Sequence, residues 1–310
     1  MSNNQKLKLY EPLIYFALAL DPIHVGTGGY RLGQVDLSIV REPGTGVPKI
    51  PGTSLTGACR TYAAMQEPNK WPGCAGQGGH CGQADCPICA TFGFARPDKS
   101  FQGLAQFSDA RLVLFPVHSL VGPVWVTCPD ALRDWGVSEN EPAEGRVRLA
   151  GGIKTHGKLN LGWLMLNVEQ NQLFSLDGKL NAIPNDILDR AVLVSNKLFG
   201  HIVNDNLEVR TSVSIDPATG AAAEEALFTY ETLPRASVLA FEVTVSNPQY
   251  YRINGQIPLN GKIENAIDVV KKGLSFFRAL GIGRMSTRGM GRLRILNLQG
   301  SVNQPQGGQS

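Results

Sequence analysis

Net charge, charged side chains and long apolar runs are all scarce in this sequence of 310 residues. The net charge is only +3, and charged residues make up 18% of the chain, against about a quarter in ordinary globular proteins. A protein that holds nucleic acid by bulk Coulomb attraction carries more positive charge than this. Any RNA partner would therefore be held by local geometry, through backbone N–H groups, glycine-rich loops and a few arginines.

The apolar runs are too short to cross a bilayer. The run Leu13 to Leu20 is typical of a buried strand, and the polar residues before it do not form a signal-peptide pattern. We therefore expect a soluble, cytoplasmic protein with no membrane partner. Structural disulfides are rare in that compartment.

Cysteine is scarce too, with six in the chain, yet four of them fall close together at Cys74, Cys81, Cys86 and Cys89. The final Cys-x-x-Cys pair can place two thiolates on one tetrahedral ion, and the glycines around it let the chain fold tightly. A redox pair or a chance cluster would leave the other two cysteines unexplained. The spacing favours a structural zinc site of four thiolates, with His80 as a spare ligand.

The hydrophobic pattern alternates between strand and helix periods. Leu13 to Leu20 is the first strand, Thr53 or Ser54 caps a helix through Met65, and Cys59 sits on the apolar face of that helix. The order strand–helix–strand–strand–helix–strand, with long insertions, predicts an α+β, ferredoxin-like fold. The later elements are a helix over 184–202, a hairpin over 207–234, a strand over 237–246, an amphipathic helix over 261–281 and a last strand over 292–299.

A glycine-arginine segment, GIGRMSTRGMGRLR, separates the last helix from the last strand. Its glycines allow a phosphate chain to approach the backbone closely, and its arginines can neutralise that chain. An ordinary flexible turn is the alternative, since glycine loops are common. The density of arginine favours RNA. The residues concerned are Gly281, Gly283, Gly289, Gly291, Arg284, Arg288, Arg292 and Arg294.

Seven short motifs, in order along nearly the whole chain, resemble one family: HVGTG, GQVDLSIVRE, KIPGTSLTGACR, CPICATFG, LFPVHSL with VTCP, VSIDPATG with ALFTYETLP, and LGIGRMSTRGMGRL. This family is the backbone subunit of type III CRISPR effector complexes, in the RAMP superfamily. The sequence most resembles the Cmr-type version and is also similar to the Csm-type. The resemblance implies a modified ferredoxin-like (RRM-type) domain over 1–300, with a zinc loop at about 70–92, a thumb-like hairpin at about 206–232 and a disordered tail over 301–310.

The resemblance also implies a function. Several copies would polymerise along a guide RNA (crRNA) beside other type III effector subunits, and the thumb would kink the guide–target duplex. An aspartate that matches Asp36 would cut the target RNA with Mg²⁺ or another divalent cation. His24, Tyr230 and Glu231 match residues near the same site.

Guide binding is predicted at the start of the first helix, where free N–H groups favour phosphate, and at the terminal glycine loop. Thr56 stands where relatives often carry lysine, so we expect one contact with the guide backbone to be missing. The predicted RNA-binding residues are Lys49, Ser54, Thr56, Arg60, Arg210, Gly283, Arg284, Ser286, Thr287 and Arg288.

The chemistry of a single carboxylate leaves alternatives open. Asp36 could hold Mg²⁺ or position the attacking 2′-OH, but alone it is a poor base at neutral pH. A non-catalytic scaffold for the guide, in which Asp36 is idle, is the main alternative. A repeat-RNA processing endonuclease would share the fold and the terminal loop, although the zinc loop and the hairpin argue against it.

Overall fold

The computed structural model describes residues 8–27, 35–76, 79–169, 174–176, 178, 180–213, 215, 217–220 and 228–298. The tail predicted to be disordered, 301–310, lies outside these residues. The strands are β1 Tyr10–Ala19, β2 Lys49–Ile50, β3 Phe94–Ala95, β4 Ser100–Phe101, β5 Ala105–Phe107, β6 Ala110–Val117, β7 Val124–Thr127, β8 Arg146–Leu149, β9 Lys158–Leu161, β10 Leu164–Val168, β11 Ala191–Leu193, β12 Glu208–Ser212, β13 Phe228–Thr232, β14 Val238–Ser246 and β15 Leu293–Ile295.

Seven α-helices and three short 3-10 helices complete the described part of the chain. The α-helices are α1 Gly52–Gln66, α2 Pro87–Phe92, α3 Pro129–Arg133, α4 Asn185–Leu188, α5 Asn196–Asp205, α6 Ile263–Ser275 and α7 Phe277–Leu280. The 3-10 helices are Pro248–Tyr250, Pro258–Gly261 and Ser286–Arg288. No helix in the described ranges is long and apolar enough to cross a membrane.

Eleven strands form one large mixed sheet. Its main path runs β15-β1-β14-β6-β7-β11-β8-β10-β9, and β2 and β5 pair with β6 and β14 beside that path. The first four strands of the path pair antiparallel. Helix α1 lies between β1 and β6 along the chain, and α6 lies between β14 and β15, so both long helices occur in connections between strands of this antiparallel part.

The core lies on both faces of the sheet, as β14 illustrates. Leu239, Phe241 and Val243 join the apolar cluster that contains the long helices. Val238 and Ala240, which alternate with them, join a second cluster behind the sheet. Because strand side chains alternate between faces, this double burial explains why the strand is almost continuously apolar.

The first strand, the first helix and the last long helix were predicted at the right places. The predicted cap was wrong, because the first helix begins at Gly52 after Pro51, and Thr53 and Ser54 lie inside it. The last long helix ends at Ser275, and the short helix Phe277–Leu280 follows it. Cys59 is a buried core residue, as its place on the apolar face of the first helix predicted, and Cys128 is buried in the core as well. The helix predicted over 184–202 was wrong, because two helices there flank the strand Ala191–Leu193. That strand is buried on both sides and pairs with β7 and β8, and a short apolar run of this kind does not distinguish a strand from a helix by period.

Candidate functional site

A short extended segment that carries Asp36 lies against the hairpin of β12 and β13. The two hairpin strands pair antiparallel from Glu208 with Thr232 to Ser212 with Phe228. The backbone N–H of Leu37 donates to the carbonyl of Thr229 at 3.0 Å, and the N–H of Glu231 donates to the carbonyl of Leu37 at 3.0 Å. The Asp36 segment is therefore bound in parallel along one edge of the hairpin.

The Asp36 carboxylate is exposed but held in place. Its Oδ2 accepts hydrogen bonds from the backbone N–H of Thr229 at 2.7 Å and from the Thr229 hydroxyl at 3.0 Å. These bonds lower the pKa of Asp36 below its ordinary value, because they stabilise the charged form. The side chain is therefore an anion at neutral pH.

His24 lies behind this carboxylate segment and is only 1% exposed. Its Nδ1 lies 2.7 Å from the backbone carbonyl of Glu231. A carbonyl only accepts, so Nδ1 carries the proton. The imidazole also meets the ring of Tyr230 edge-on, with centroids 6.0 Å apart, and Tyr230 is itself buried. Both side chains support the loop from inside the protein.

Glu231 is engaged away from solvent. Its carboxylate accepts from Arg41 at 2.9 Å and from the backbone N–H of Ile39 at 3.3 Å. The Nε of Arg41 donates in turn to the Oδ1 of Asn204 in α5, at 3.0 Å. Glu231 thereby ties the hairpin to the Asp36 segment and, through Arg41, to a helix of the main domain.

The terminal glycine loop contacts the backbone of His24, next to the Asp36 segment and the hairpin. The backbone N–H of Arg284 donates to the carbonyl of His24 at 3.0 Å. Gly283 has a φ of +82°, and a Cβ placed there would lie 2.4 Å from that carbonyl oxygen. Gly283, Arg284, Ser286, Thr287 and Arg288 are all exposed.

Arg288 connects the loop to the hairpin. Its guanidinium carbon lies 5.9 Å from the ring centroid of Phe228, and its Nη1 donates to the Ser212 hydroxyl at 3.1 Å. Phe228 precedes Thr229, which holds Asp36, so the loop and the carboxylate contact adjacent residues of β13. Arg210 is also on the hairpin, where it pairs with Glu208 at 2.6 Å.

The start of α1 already carries a protein carboxylate. The backbone N–H of Gly52 donates to Asp109 at 2.8 Å, and Lys49 pairs with the other oxygen of Asp109 at 2.6 Å. The Thr56 hydroxyl donates to the Gly52 carbonyl at 2.8 Å. Ser54, one turn into the helix, is partly exposed. The predicted phosphate-binding end therefore has its charge balanced within the protein.

Arg60 points into the cysteine loop. Its Nε donates to the carbonyl of Cys74, and its Nη2 contacts the Nδ1 of His80, each at 2.8 Å. His80 is buried, and burial together with Arg60 lowers its pKa. Arg60 was predicted to bind the guide, but in the structure its side chain supports the cysteine loop.

The four clustered cysteines form a group that could hold a metal ion. Their sulfurs all lie within 4.8 Å of one another, and three of the separations are 3.7, 3.8 and 4.0 Å. A tetrahedron with zinc–sulfur bonds of about 2.3 Å has edges of about 3.8 Å, so the spacing fits. The ligand group is Cys74, Cys81, Cys86 and Cys89, and His80 does not belong to it.

Three residues with important contacts were missed in the sequence. Thr229 holds the Asp36 carboxylate, Asp109 occupies the end of α1, and Arg41 bridges Glu231 to Asn204. Each partner is distant in sequence, so no local pattern could identify the pair.

Two proteins with similar sequences are both named CRISPR endoribonucleases. The chain is 26% identical to the CRISPR system Cmr endoribonuclease Cmr4 of Pyrococcus furiosus over 251 residues, which cover 74% of this chain and 80% of that protein. It is 31% identical to the CRISPR system Cms endoribonuclease Csm3 of Methanothermobacter thermautotrophicus over 83 residues, or 26% of this chain and 32% of that protein.

Solved structures share the fold. The oligomeric Cmr4 crystal structure from Pyrococcus furiosus superposes with a TM-score of 0.62 at 20% identity, covering 93% of this chain and 97% of that one. A Type III-B Cmr-beta complex bound to cognate target RNA contains a chain with a TM-score of 0.64 at 16% identity, covering 93% and 99%. The RAMP superfamily model matches residues 17–294. Because that match spans most of the sequence, the chain belongs to the RAMP superfamily.

Proposed function

We propose that this protein is a crRNA-binding backbone subunit of a type III CRISPR effector complex and that it also cuts the bound target RNA. One observation carries the proposal: an exposed, ionised carboxylate, Asp36, is fixed against strand β13 of the hairpin and beside an exposed glycine-arginine loop. Two relatives are named endoribonucleases, and a structural neighbour comes from a complex with target RNA.

The fold supports this assignment. We propose that β1, α1, β6, β14, α6 and β15 form the ferredoxin-like frame, because the four strands neighbour one another in the order β15-β1-β14-β6. The hairpin of β12 and β13 would be the thumb. Residues 1–300 would then form one domain with insertions, and its copies would line up along the guide beside other effector subunits.

The guide would follow the terminal glycine loop. Exposed backbone and two exposed arginines, Arg284 and Arg288, suit a phosphate chain that is recognised by position rather than by base identity. Among the predicted contacts, this loop is the best supported. Lys49 and Arg60 have carboxylate and loop partners within the protein, so we expect smaller contributions from them.

The cut would use the target's own 2′-OH. The oxygen attacks the adjacent phosphorus, the bond from phosphorus to the 5′-oxygen breaks, and the products are a 2′,3′-cyclic phosphate and a 5′-hydroxyl. Asp36 is ionised and too weak a base to deprotonate the alcohol by itself. Its role would be to accept a hydrogen bond from the 2′-OH and orient it in line with the leaving oxygen. Such a sparse site predicts slow cutting.

A divalent cation at this site would depend on the RNA. Among the described residues, the cysteine cluster is the one group of three or more side chains that could hold a metal ion. Asp36 does not belong to such a group, so it would offer a cation a single ligand from the protein. A cation that assists the cut would take its remaining ligands from phosphate oxygens and water. Cleavage assays with and without added Mg²⁺ test this requirement.

The cysteine cluster is proposed to bind a structural zinc ion. Four thiolates fill a tetrahedral site and leave no position for substrate. The ion would fix the loop against α1 through Arg60 and against the buried helix α2, which begins one residue after Cys86.

Replacement of Asp36 tests the catalytic proposal directly. An Asp36→Ala subunit, assembled with guide and its partner subunits, should bind target RNA normally and lose cleavage. Asp186→Asn, which changes an exposed carboxylate at the start of α4, is the matched control and should cut normally. Wild-type rate and positions with Asp36→Ala would make the subunit a non-catalytic scaffold. A 2′-deoxy substitution at the scissile nucleotide should block the cut there.

A further inference from the structure

We propose that Thr229 is a positioning residue for Asp36, because its hydroxyl and its backbone N–H together hold one carboxylate oxygen in a single direction. This inference deepens the proposed function and rests on it. Thr229 lies on β13 and is separated from Asp36 by 193 positions in sequence. Neither composition nor motif assigned it a role.

The Thr229 hydroxyl makes two bonds of opposite kind to the same residue. It accepts from the backbone N–H of Asp36 at 3.1 Å and lies 3.0 Å from Oδ2 of that residue. A carboxylate only accepts, so the hydroxyl proton points to Oδ2 while a lone pair receives the Asp36 N–H. The rotor is thereby fixed. Only serine or threonine can fill both roles at this position, and valine has the right shape but neither bond.

The carboxylate is left with one oxygen for chemistry. Oδ2 also accepts from the Thr229 backbone N–H at 2.7 Å, so both bonds that Thr229 donates to this carboxylate end on Oδ2 and neither on Oδ1. The Asp36 side chain is exposed, so Oδ1 is the oxygen that can receive a hydrogen bond from substrate. The bonds to Oδ2 also explain why the pKa of Asp36 is lowered.

The Asp36 segment has two hydrogen bonds to β13 that do not use the Thr229 side chain, besides the bond from the Asp36 N–H to the Thr229 hydroxyl. Leu37 donates to the Thr229 carbonyl, and Glu231 donates to the Leu37 carbonyl, through backbone atoms alone. Loss of the hydroxyl at 229 therefore removes one of the two hydrogen bonds to Oδ2 and loosens the carboxylate, while the two backbone bonds keep the segment against β13. An exposed aspartate without this restraint would sample several rotamers, and the productive one would be populated less often.

Three variants separate positioning from folding. Thr229→Val removes the hydroxyl at constant shape, and Thr229→Ser retains it. Thr211→Val removes a hydroxyl from the residue directly across the hairpin from Thr229. Single-turnover cleavage by the assembled complex should fall about tenfold with Thr229→Val, the effect expected for loss of one hydrogen bond to a charged group. It should stay near wild type with the other two, and guide binding should be unchanged in all three.

The pKa of the Asp36 carboxyl gives a readout that a general loss of structure would not produce. It can be followed by carbon NMR on the isolated protein, and it should rise toward the ordinary aspartate value in Thr229→Val but not in Thr229→Ser or Thr211→Val. An unchanged pKa together with wild-type cleavage by Thr229→Val would refute the inference. Equal slowing by valine and serine, with no change in pKa, would also refute it.

The test distinguishes this inference from the proposed function. If Asp36→Ala cuts like wild type, the catalytic proposal fails, and the NMR titration still decides whether Thr229 restrains the carboxylate. If Asp36→Ala is inactive while Thr229→Val is normal in rate and in pKa, the positioning role alone is wrong.

Discussion

Replacing Gly283 by alanine should displace the terminal loop from the hairpin side of the molecule. The new Cβ would lie 2.4 Å from the backbone carbonyl oxygen of His24 and 3.2 Å from a methyl group of Val25. That oxygen cannot easily recede, because it also accepts from the N–H of Arg284 at 3.0 Å, and the His24 ring is bonded to Glu231. Overpacking of this kind costs about 1–3 kcal/mol.

The backbone angle adds a second cost that must be separated from the contact. Gly283 has a φ of +82°, a region that disfavours L-residues by about 1–2 kcal/mol. Gly289, in the same loop, has a φ of +75° and nothing within 4 Å of an added Cβ. Gly289→Ala therefore carries the backbone cost without the clash. The difference between the two variants isolates the contact with His24.

Urea unfolding and crRNA binding are the measurements. Gly283→Ala should unfold with about 1–3 kcal/mol less free energy than Gly289→Ala, and it should bind guide RNA more weakly, since the Arg284 backbone must move. Equal unfolding free energies for the two variants would show that the loop does not rest on the His24 carbonyl, and the site geometry would need revision.

Two further predictions concern the metal loop and the guide. Purified protein should contain about one zinc per chain by elemental analysis, as a closed four-thiolate site requires. Cys86→Ser should lose the metal and some stability, while the control Cys128→Ala should keep the metal. Wild-type protein without zinc would contradict the assignment. Changing Arg284 and Arg288 together to alanine should weaken crRNA binding and reduce its salt dependence by roughly one counterion per contact. The control Arg133→Ala should change neither. An unchanged affinity and an unchanged salt dependence in the double variant would place the guide elsewhere.

The local hydrophobic pattern was sufficient to predict helices and strands whose buried residues recur at a single helical or strand period. The last long helix has its apolar residues on one face, and the hairpin strands flank a turn at 217–220. The region over 184–202 was different, because Ala191–Leu193 is an inner strand between β7 and β8. The neighbouring strands come from distant parts of the chain, so the sequence of 184–202 alone does not show which strands flank Ala191–Leu193.

Side-chain partners were the least predictable part of the site. The predicted start of the first helix suggested free N–H groups for phosphate, yet Asp109 binds Gly52 from 57 positions away. Arg60 was assigned to the guide because it lies on the same helix, but the cysteine loop folds back over it and takes two of its donors. In both cases the residue type was informative, and only the tertiary contact decided its partner.

The four residues matched to the cutting site divide into two kinds. Asp36 is exposed, whereas His24 and Tyr230 are buried and Glu231 is paired with Arg41. With its Nδ1 bound to a carbonyl and only 1% of its surface exposed, His24 does not present its ring to RNA in this arrangement. Loss of any of these three should therefore reduce cleavage by moving the Asp36 segment, because Tyr230 and Glu231 lie on the strand that binds this segment and His24 is bonded to Glu231. Under the proposed function, the cut would depend on one oriented carboxylate and on distortion of the RNA, which is consistent with a site that has so few reactive groups.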